Sequence, residues 1–396
     1  MTMANVTTAK KASDPIIERF RRITENTHEY ARSLKGQGHL LAGYMCTHVP
    51  EEILYAAGIV PVRILSSHES QAVSRGYIHE TYCSFSHDCA YQGLQHHSDF
   101  LDLIATSSSC IHMSEAFNVW VRFGGFQEKS FLIPYPHIIH AKPAGKLMAS
   151  SFVELKQYVD NIVNKPLTAD ELEGAIRVYN ENRRLLKRLW EFLRYDKPPV
   201  TGPEVAAATL ASQVMDKREC NQMLEQLIKA LEAEPGNAES GVRLMVSGGA
   251  CDDVGIFDLI EGLSYRASLV FVDSCTAARY FWFEVPEGRT DKIEALAEGY
   301  IHRIPCPAKD NVPGTGEKKR FRFIQQFVED FNPDGVVFLY QRFCSPQPMD
   351  IVALKPILNK LGIPSTELEL DTTVPVTQFR TQLEALVEVI KGVRLE

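Results

Sequence analysis

Six of the nine cysteines in this chain fall where a parallel α/β protein places its ligands. Cys46, Cys110, Cys275 and Cys344 each stand just past a short apolar run, at 40–45, 101–106, 268–272 and 335–340, that reads as a buried strand. Cys83 opens a predicted helix, and Cys306 is held in a loop between Pro305 and Pro307. After Cys46, the segment Val49-Pro50-Glu51-Glu52 starts a helix, with proline in the first turn and acidic residues at the positive end of the helix dipole. A thiol at the carboxyl end of a strand, beside a helix N-terminus, sits where open sheets bind ligands and where a thiolate is stabilised. No C-x-x-C pair occurs, which excludes a zinc ribbon, a thioredoxin site and a ferredoxin-type run. Spacings of 27 to 38 residues within each half suit ligands gathered by tertiary structure, one loop each. Such soft thiolates favour an iron–sulfur cluster or zinc. Of the other three, Cys220 reads as helix packing, Cys89 points away from Cys83 on the same helix, and Cys251 is the alternate ligand, since it too ends a strand.

The elements that must position these thiols alternate strand and helix, which predicts parallel sheets. An amphipathic helix is expected over 15–36, followed by strands at 40–45, 60–64, 101–106 and 130–133 with helices between them. From 150 to 234 the chain turns helical and charged. Thr168 is the expected cap of a helix over 169–195, with Glu171 completing a capping box. A second alternating region follows Pro235-Gly236, with strands at 242–246, 268–272, 335–340 and 365–370. The predicted architecture is α/β: two Rossmann-like or flavodoxin-like parallel-sheet domains joined by a helical block, with the ligand cluster in the cleft between them. Its expected divisions are a disordered tail at 1–14, a first domain at 15–149, a helical connector at 150–236 and a second domain at 237–396. Ser247-Gly248-Gly249-Ala250 reads as a tight strand-to-helix turn.

Composition narrows the function. At 396 residues, with 45% hydrophobic and 23% charged residues, the chain is an ordinary globular protein too long for one core. A net charge of −8 opposes nucleic-acid binding. The short basic clusters Arg183-Arg184 and Lys318-Lys319-Arg320 read as solvated helix faces. No apolar run is long enough for a membrane span, and residues 1–14 lack the apolar core of a signal peptide. A cytoplasmic setting is expected, where thiols stay reduced and serve metal or redox chemistry. There is no G-x-x-x-x-G-K-[ST] loop.

Gly43-Tyr44-Met45-Cys46-Thr47-His48-Val49-Pro50-Glu51-Glu52, with Tyr55-Ala56-Ala57-Gly58, closely resembles the opening motif of the 2-hydroxyacyl-CoA dehydratase and benzoyl-CoA reductase family. Cys83-Ser84-Phe85, Cys110, Pro305-Cys306-Pro307 and Phe343-Cys344-Ser345-Pro346 resemble its later motifs, in order, so the likeness runs from about 15 to 390. Val62-Arg63-Ile64-Leu65, Ser67-His68-Glu69, Ser274-Cys275-Thr276 with Arg279-Tyr280-Phe281-Trp282, and Asp371-Thr372-Thr373 with Pro375 look most like the C (gamma) subunit of ATP-dependent benzoyl-CoA reductase. Where the common family pattern has an aspartate after the cysteines equivalent to Cys110 and Cys344, this chain has Ile111 and Ser345, a departure that leans toward the reductase branch.

The resemblance implies an iron–sulfur cofactor held by Cys46, Cys83, Cys110, Cys275, Cys306 and Cys344, either a [4Fe-4S] cubane or a bridged double-cubane [8Fe-9S] cluster. It implies partners as well: a homologous iron–sulfur subunit, two activator subunits that bind ATP and Mg, and reduced ferredoxin as donor, with benzoyl-CoA or a similar acyl-CoA as substrate. The activity implied is two-electron dearomatisation to cyclohexa-1,5-diene-1-carbonyl-CoA. The alternatives are water elimination by a dehydratase subunit, or a double-cubane reductase or electron-relay subunit. Adding an electron to an aromatic thioester demands a very low potential, and iron–sulfur clusters reach down to about −700 mV. Ring reduction also needs protons, and His48, two residues past Cys46, is the candidate donor. His68, Glu69, His87 and His112 are other titratable groups near the cysteine motifs, and Tyr135, His137 and His140 are candidates to line an acyl-CoA channel.

Overall fold

A computed structural model describes residues 11–69, 72–236, 241–312, 317–371 and 375–392. Eight strands form two separate four-stranded sheets, every pairing parallel. The first contains β1 (Leu40–Tyr44), β2 (Ile59–Arg63), β3 (Leu103–Ser107) and β4 (Ser130–Ile133) in the order β2-β1-β3-β4. The second contains β5 (Val242–Gly248), β6 (Ala267–Asp273), β7 (Gly335–Gln341) and β8 (Ser365–Leu370) in the order β6-β5-β7-β8. The two halves therefore share one topology without a visible sequence repeat. In each sheet the order reverses between the first and third strands, which opens a crevice at their carboxyl ends.

Burial explains the strand assignments. β1, β2 and β3 are covered on both faces, as parallel strands require, so they read as continuous apolar runs. Leu41, Met45, Val60, Val62 and Ile104 pack with the terminal helices and the second sheet in one large core. Ala42, Tyr44, Ile59, Leu103 and Ala105 pack on the opposite face against the helices Ala144–Val163 and Lys292–His302. Gly248 is strand, not turn: a Cβ there would lie 1.7 Å from the Leu339 carbonyl oxygen of β7, so only glycine lets the two strands approach.

The long helix Ala169–Glu191 carries the predicted capping box: Thr168 Oγ1 accepts the Glu171 N–H, while Glu171 accepts the Thr168 N–H. This helix links the two halves. Arg183 pairs with Glu52 of the first half, and Asn180 donates to the Val285 carbonyl of the second at 2.7 Å.

Three expectations need correction. The single helix over 15–36 is two helices, Asp14–Glu25 and Thr27–Gly36, because Asn26 leaves helical geometry with φ −133°. Arg183 and Arg320 are not on solvated faces: each is buried against carboxylates, Arg183 against Glu52 and Arg320 against Asp273 and Asp350. The strand-to-helix turn expected at Gly248 lies further on, because β5 runs through that residue. Residues 1–10 of the expected tail lie outside the described residues, as do Thr372 and Thr373. Ser13 is buried, and its N–H and hydroxyl both donate to Glu234, at 2.9 and 2.8 Å.

Candidate cysteine-lined site

The carboxyl ends of the two sheets face each other. Ser84, directly after Cys83, donates to Gln341 Oε1 at the end of β7, and Arg303 donates to the Thr47 carbonyl beside Cys46. Cys46 follows β1 and Cys110 follows β3, so both flank the crevice of the first sheet. Ser109, one residue before Cys110, brings its Oγ to 3.1 Å from Cys46 Sγ. Cys83 and Cys110 are the N-cap residues of the helices Ser84–Leu94 and Ile111–Phe123. From the second half, Cys275 follows β6, Cys344 follows β7, and Cys306 presents its carbonyl to the N–H groups of Lys309 and Asp310 in a compact loop.

The six thiols share one electrostatic neighbourhood. Burial pushes the Cys344 thiol up, and so do Cys83, Cys110 and Cys306. Cys110 is pushed up to about 11 by burial, with Cys83 and Cys46 adding to it. Cys306 is likewise pushed up to about 11 by burial, with Cys46 and Cys275 among its neighbours. Burial also raises Cys83, which senses Cys275. Cys46 behaves differently: burial opposes its thiolate, but the charge and hydrogen bond of His48, with hydrogen bonds from Ser107 and Ser109, hold it well below the usual thiol range. Each thiolate thus disfavours the next, which is the signature of ligands awaiting a shared cation-rich centre.

Cys251 is beside Cys275 but is a poor ligand. Burial, then Asp252 and Asp253, push its thiol well above the usual range, and its backbone is clamped by Thr276 Oγ1. Cys89 is wholly buried in its helix, and Cys220 packs in the helical block, where Asn182 approaches its sulfur.

Sequence reasoning misses a set of buried cations around the thiols. Arg63 ends β2, Arg279 lies in the short helix Ala278–Phe281 after Cys275, and Arg303 closes the helix before Cys306. All three are 3% exposed. Among the described residues, Arg63 Nε and Nη1, Arg279 Nε and Arg303 Nε have no hydrogen-bond acceptor. Lys309, also buried, sits close to Cys306, Cys110 and Cys46, with its Nζ 3.3 Å from His137 Nδ1. A visible signal exists only for Arg63, a cation closing an otherwise apolar strand.

The histidines divide. His48 is buried, its Nδ1 3.3 Å from Cys46 Sγ and its ring 4.2 Å from that of Tyr135. His112 Nδ1 accepts the Cys83 N–H and stacks on Tyr82. His87 Nδ1 pairs with Ser74 Oγ. His140 Nε2 meets Asp310 Oδ1 at 2.6 Å, so His137 and His140 lie against the loop that follows Cys306. A concavity of about 310 Å³ lined by Tyr82, Ser84, His87, Arg342 and Phe343 flanks Cys83 and Cys344. A larger groove of about 560 Å³, lined by Arg21, His28, His68 and Asp252, touches none of the six cysteines. His68 is there, with Glu69.

The donor set fits a sulfur-rich anionic group. Six thiols supply soft ligands, and buried N–H groups without acceptors face a deficit of negative charge that such a group removes. Among the described residues, no three His, Cys, Asp or Glu side chains close around a point as ligands of a single metal ion. No described helix is long and apolar enough to cross a membrane.

Fold and site together define a protein of two parallel α/β halves whose sheet ends meet at a cysteine-lined cleft. The chain belongs to the family described as 2-hydroxyglutaryl-CoA dehydratase, D-component, whose profile matches residues 46–390. It is 27% identical to the beta subunit of (R)-2-hydroxyglutaryl-CoA dehydratase from Acidaminococcus fermentans, over 95% of this chain and 99% of that one. It is 26% identical to the (R)-phenyllactyl-CoA dehydratase beta subunit of Clostridium sporogenes, over 96% and 99%. To the C (gamma) polypeptide of benzoyl-CoA reductase from Thauera aromatica it is 24% identical, over 76% and 78%.

Proposed function

We propose that this chain is the iron–sulfur subunit of a multi-subunit enzyme that delivers single electrons to a CoA thioester, and that its reaction is the ATP-dependent reduction of benzoyl-CoA. The observation that carries this reading is the meeting of six thiols from both halves with buried guanidinium groups that lack acceptors among the described residues. Cys46, Cys83, Cys110, Cys275, Cys306 and Cys344 are the ligands, in two sets of three, of a bridged pair of cubanes. Bound there, the cluster supplies one-electron transfer at very low potential.

The residues of the chain do the rest. Ser107, Ser109 and His48 hold the Cys46 sulfur in its thiolate form. Burial keeps His48 low, so it is neutral near pH 7 and donates from Nδ1 to Cys46. Its Nε2 is then an acceptor and not a ready proton source, which shifts the proton-donor role toward groups beyond this imidazole. Arg279 and Arg303 offset negative charge at Cys306 and Cys46. ATP, with Mg, is bound by two activator subunits, ferredoxin is the donor, and the complex includes a homologous iron–sulfur partner.

A second reading, a 2-hydroxyacyl-CoA dehydratase subunit, is favoured by the dehydratase beta subunits that align over nearly the whole chain. The test is an anaerobic assay of the assembled complex. Consumption of two electrons and ATP per benzoyl-CoA supports the reductase, whereas redox-neutral loss of water from a 2-hydroxyacyl-CoA overturns it in favour of the dehydratase.

A further inference from the structure

Arg63 is an anomaly. It is 3% exposed, and among the described residues its Nε and Nη1 have no acceptor and no carboxylate forms a salt bridge with it. Its guanidinium lies 5.4 Å from the centre of the Tyr44 ring, a contact that is weak recompense for removing a cation from water. Its backbone is fixed independently, since the Arg63 N–H donates to the Gln213 carbonyl at 2.9 Å and the residue ends a strand paired to β1. The sheet thus holds the side chain in place while two of its donors stay unused.

What surrounds it is sulfur. Burial works against the Arg63 charge, but Cys275, then Tyr44, Cys46 and Glu51, restore it and raise its pKa above the usual value. Cys275 belongs to the second half and Cys46 to the first. Arg63 therefore sits where the two sets of three ligands meet. Arg279 and Arg303 do not duplicate it: the first donates to the Gly248 carbonyl and the second to the Thr47 and Arg279 carbonyls, so both are partly spent on backbone.

We propose that Arg63 is the counter-charge of the cofactor, donating from Nε and Nη1 to sulfur at the junction between the Cys46 and Cys275 ligand sets. It is a positioning residue: it takes no part in bond making, and its charge sets how readily the centre accepts an electron. The proposal rests on the iron–sulfur reading above. A fixed buried cation stabilises the reduced, more negative form, so its loss makes reduction harder.

The experiment compares wild type, Arg63→Met and Arg63→Lys, each the full chain assembled anaerobically with its partners. Iron and sulfide are measured first; a wild type without either overturns the iron–sulfur reading itself. At the potential where the wild-type centre is half reduced, the ratio of reduced to oxidised centre, read by electron paramagnetic resonance, should fall at least tenfold in Arg63→Met. Arg63→Lys should stay within about threefold of wild type, since charge dominates. An unchanged ratio in Arg63→Met overturns the proposal. So does an equal fall in both variants, which would make the planar donors and not the charge the decisive feature. Thermal melting of the iron-free chains guards against misfolding. Without the cofactor Arg63 is an uncompensated charge, so Arg63→Met should melt no lower than wild type; a lower melt shows a structural residue and also overturns the proposal.

Discussion

Ser84 Oγ donates to Gln341 Oε1 at 2.6 Å across the cleft, tying the residue after Cys83 to the end of β7, three residues before Cys344. Gln341 Nε2 in turn donates to the Ala250 carbonyl at 2.9 Å, so one amide is fixed by both halves. Both side chains are buried. Ser84→Ala leaves Oε1 without its donor and should cost about 1–3 kcal/mol in urea unfolding. Because the bond spans the two halves, the variant should also lose iron faster to a chelator than wild type does. Unchanged stability and chelation kinetics would show that the halves are held together elsewhere.

The Arg183–Glu52 pair is the other fastening, between the long helix Ala169–Glu191 and the helix Glu51–Ala56 that starts just beyond Cys46. Tyr300 also donates to Glu52, at 2.8 Å, and the Arg183 guanidinium covers the Phe283 ring at 4.1 Å. Arg183→Met strands a buried carboxylate and should cost about 3–5 kcal/mol. The double variant Arg183→Met/Glu52→Gln should recover part of that loss. A double variant as unstable as the sum of the singles would contradict the pairing.

The burial of Arg183 is not legible in the sequence, for a physical reason. A helix sequence shows which residues share a face, but the partner that buries a cation comes from 131 residues away, and nothing local marks it. Arg320 follows the same rule, its carboxylates Asp273 and Asp350 arriving from β6 and from the helix Pro346–Lys360. By contrast, Thr168 with Glu171 is legible because both halves of a capping box lie within one turn. The strands are legible for a similar reason: burial on both faces writes an uninterrupted apolar run. Strand ends therefore locate Cys46, Cys110, Cys275 and Cys344, whereas the buried arginines around them become visible only with the tertiary contacts.

Glu261 makes stability depend on pH. Its Oε1 accepts the N–H groups of Gly202 and Leu269, yet burial outweighs these bonds and lifts its carboxyl from the usual 4.5 to about 7. A carboxyl whose pKa rises on folding supports the native state below its unfolded pKa and loses that support as pH climbs through the folded one. Glu261→Gln keeps the acceptor and removes the charge. Relative to the difference at pH 4, the variant should gain about 2–4 kcal/mol over wild type by pH 8, with the change falling between about pH 4.5 and 7. Parallel stability curves for the two proteins across that range would contradict the assignment.

His48 and Ser109 act on the same sulfur, Cys46, from 3.3 and 3.1 Å. In the iron-free chain, Ser109→Ala should slow alkylation of Cys46 at pH 7 several-fold, because a donor that favours the thiolate is lost. Cys110, pushed up to about 11, should react far more slowly than Cys46 in the same digest. Equal rates at the two cysteines would contradict the unequal environments described here.

The most direct test of the central claim is iron and acid-labile sulfide per chain in anaerobically purified protein, for wild type and for Cys46→Ala, Cys275→Ala and Cys306→Ala. Six ligands holding a bridged pair predict about eight irons per wild-type chain, with a loss in every variant. About four irons, unaffected by Cys275→Ala and Cys306→Ala, would contradict it and leave the cofactor to the cysteines of the first half.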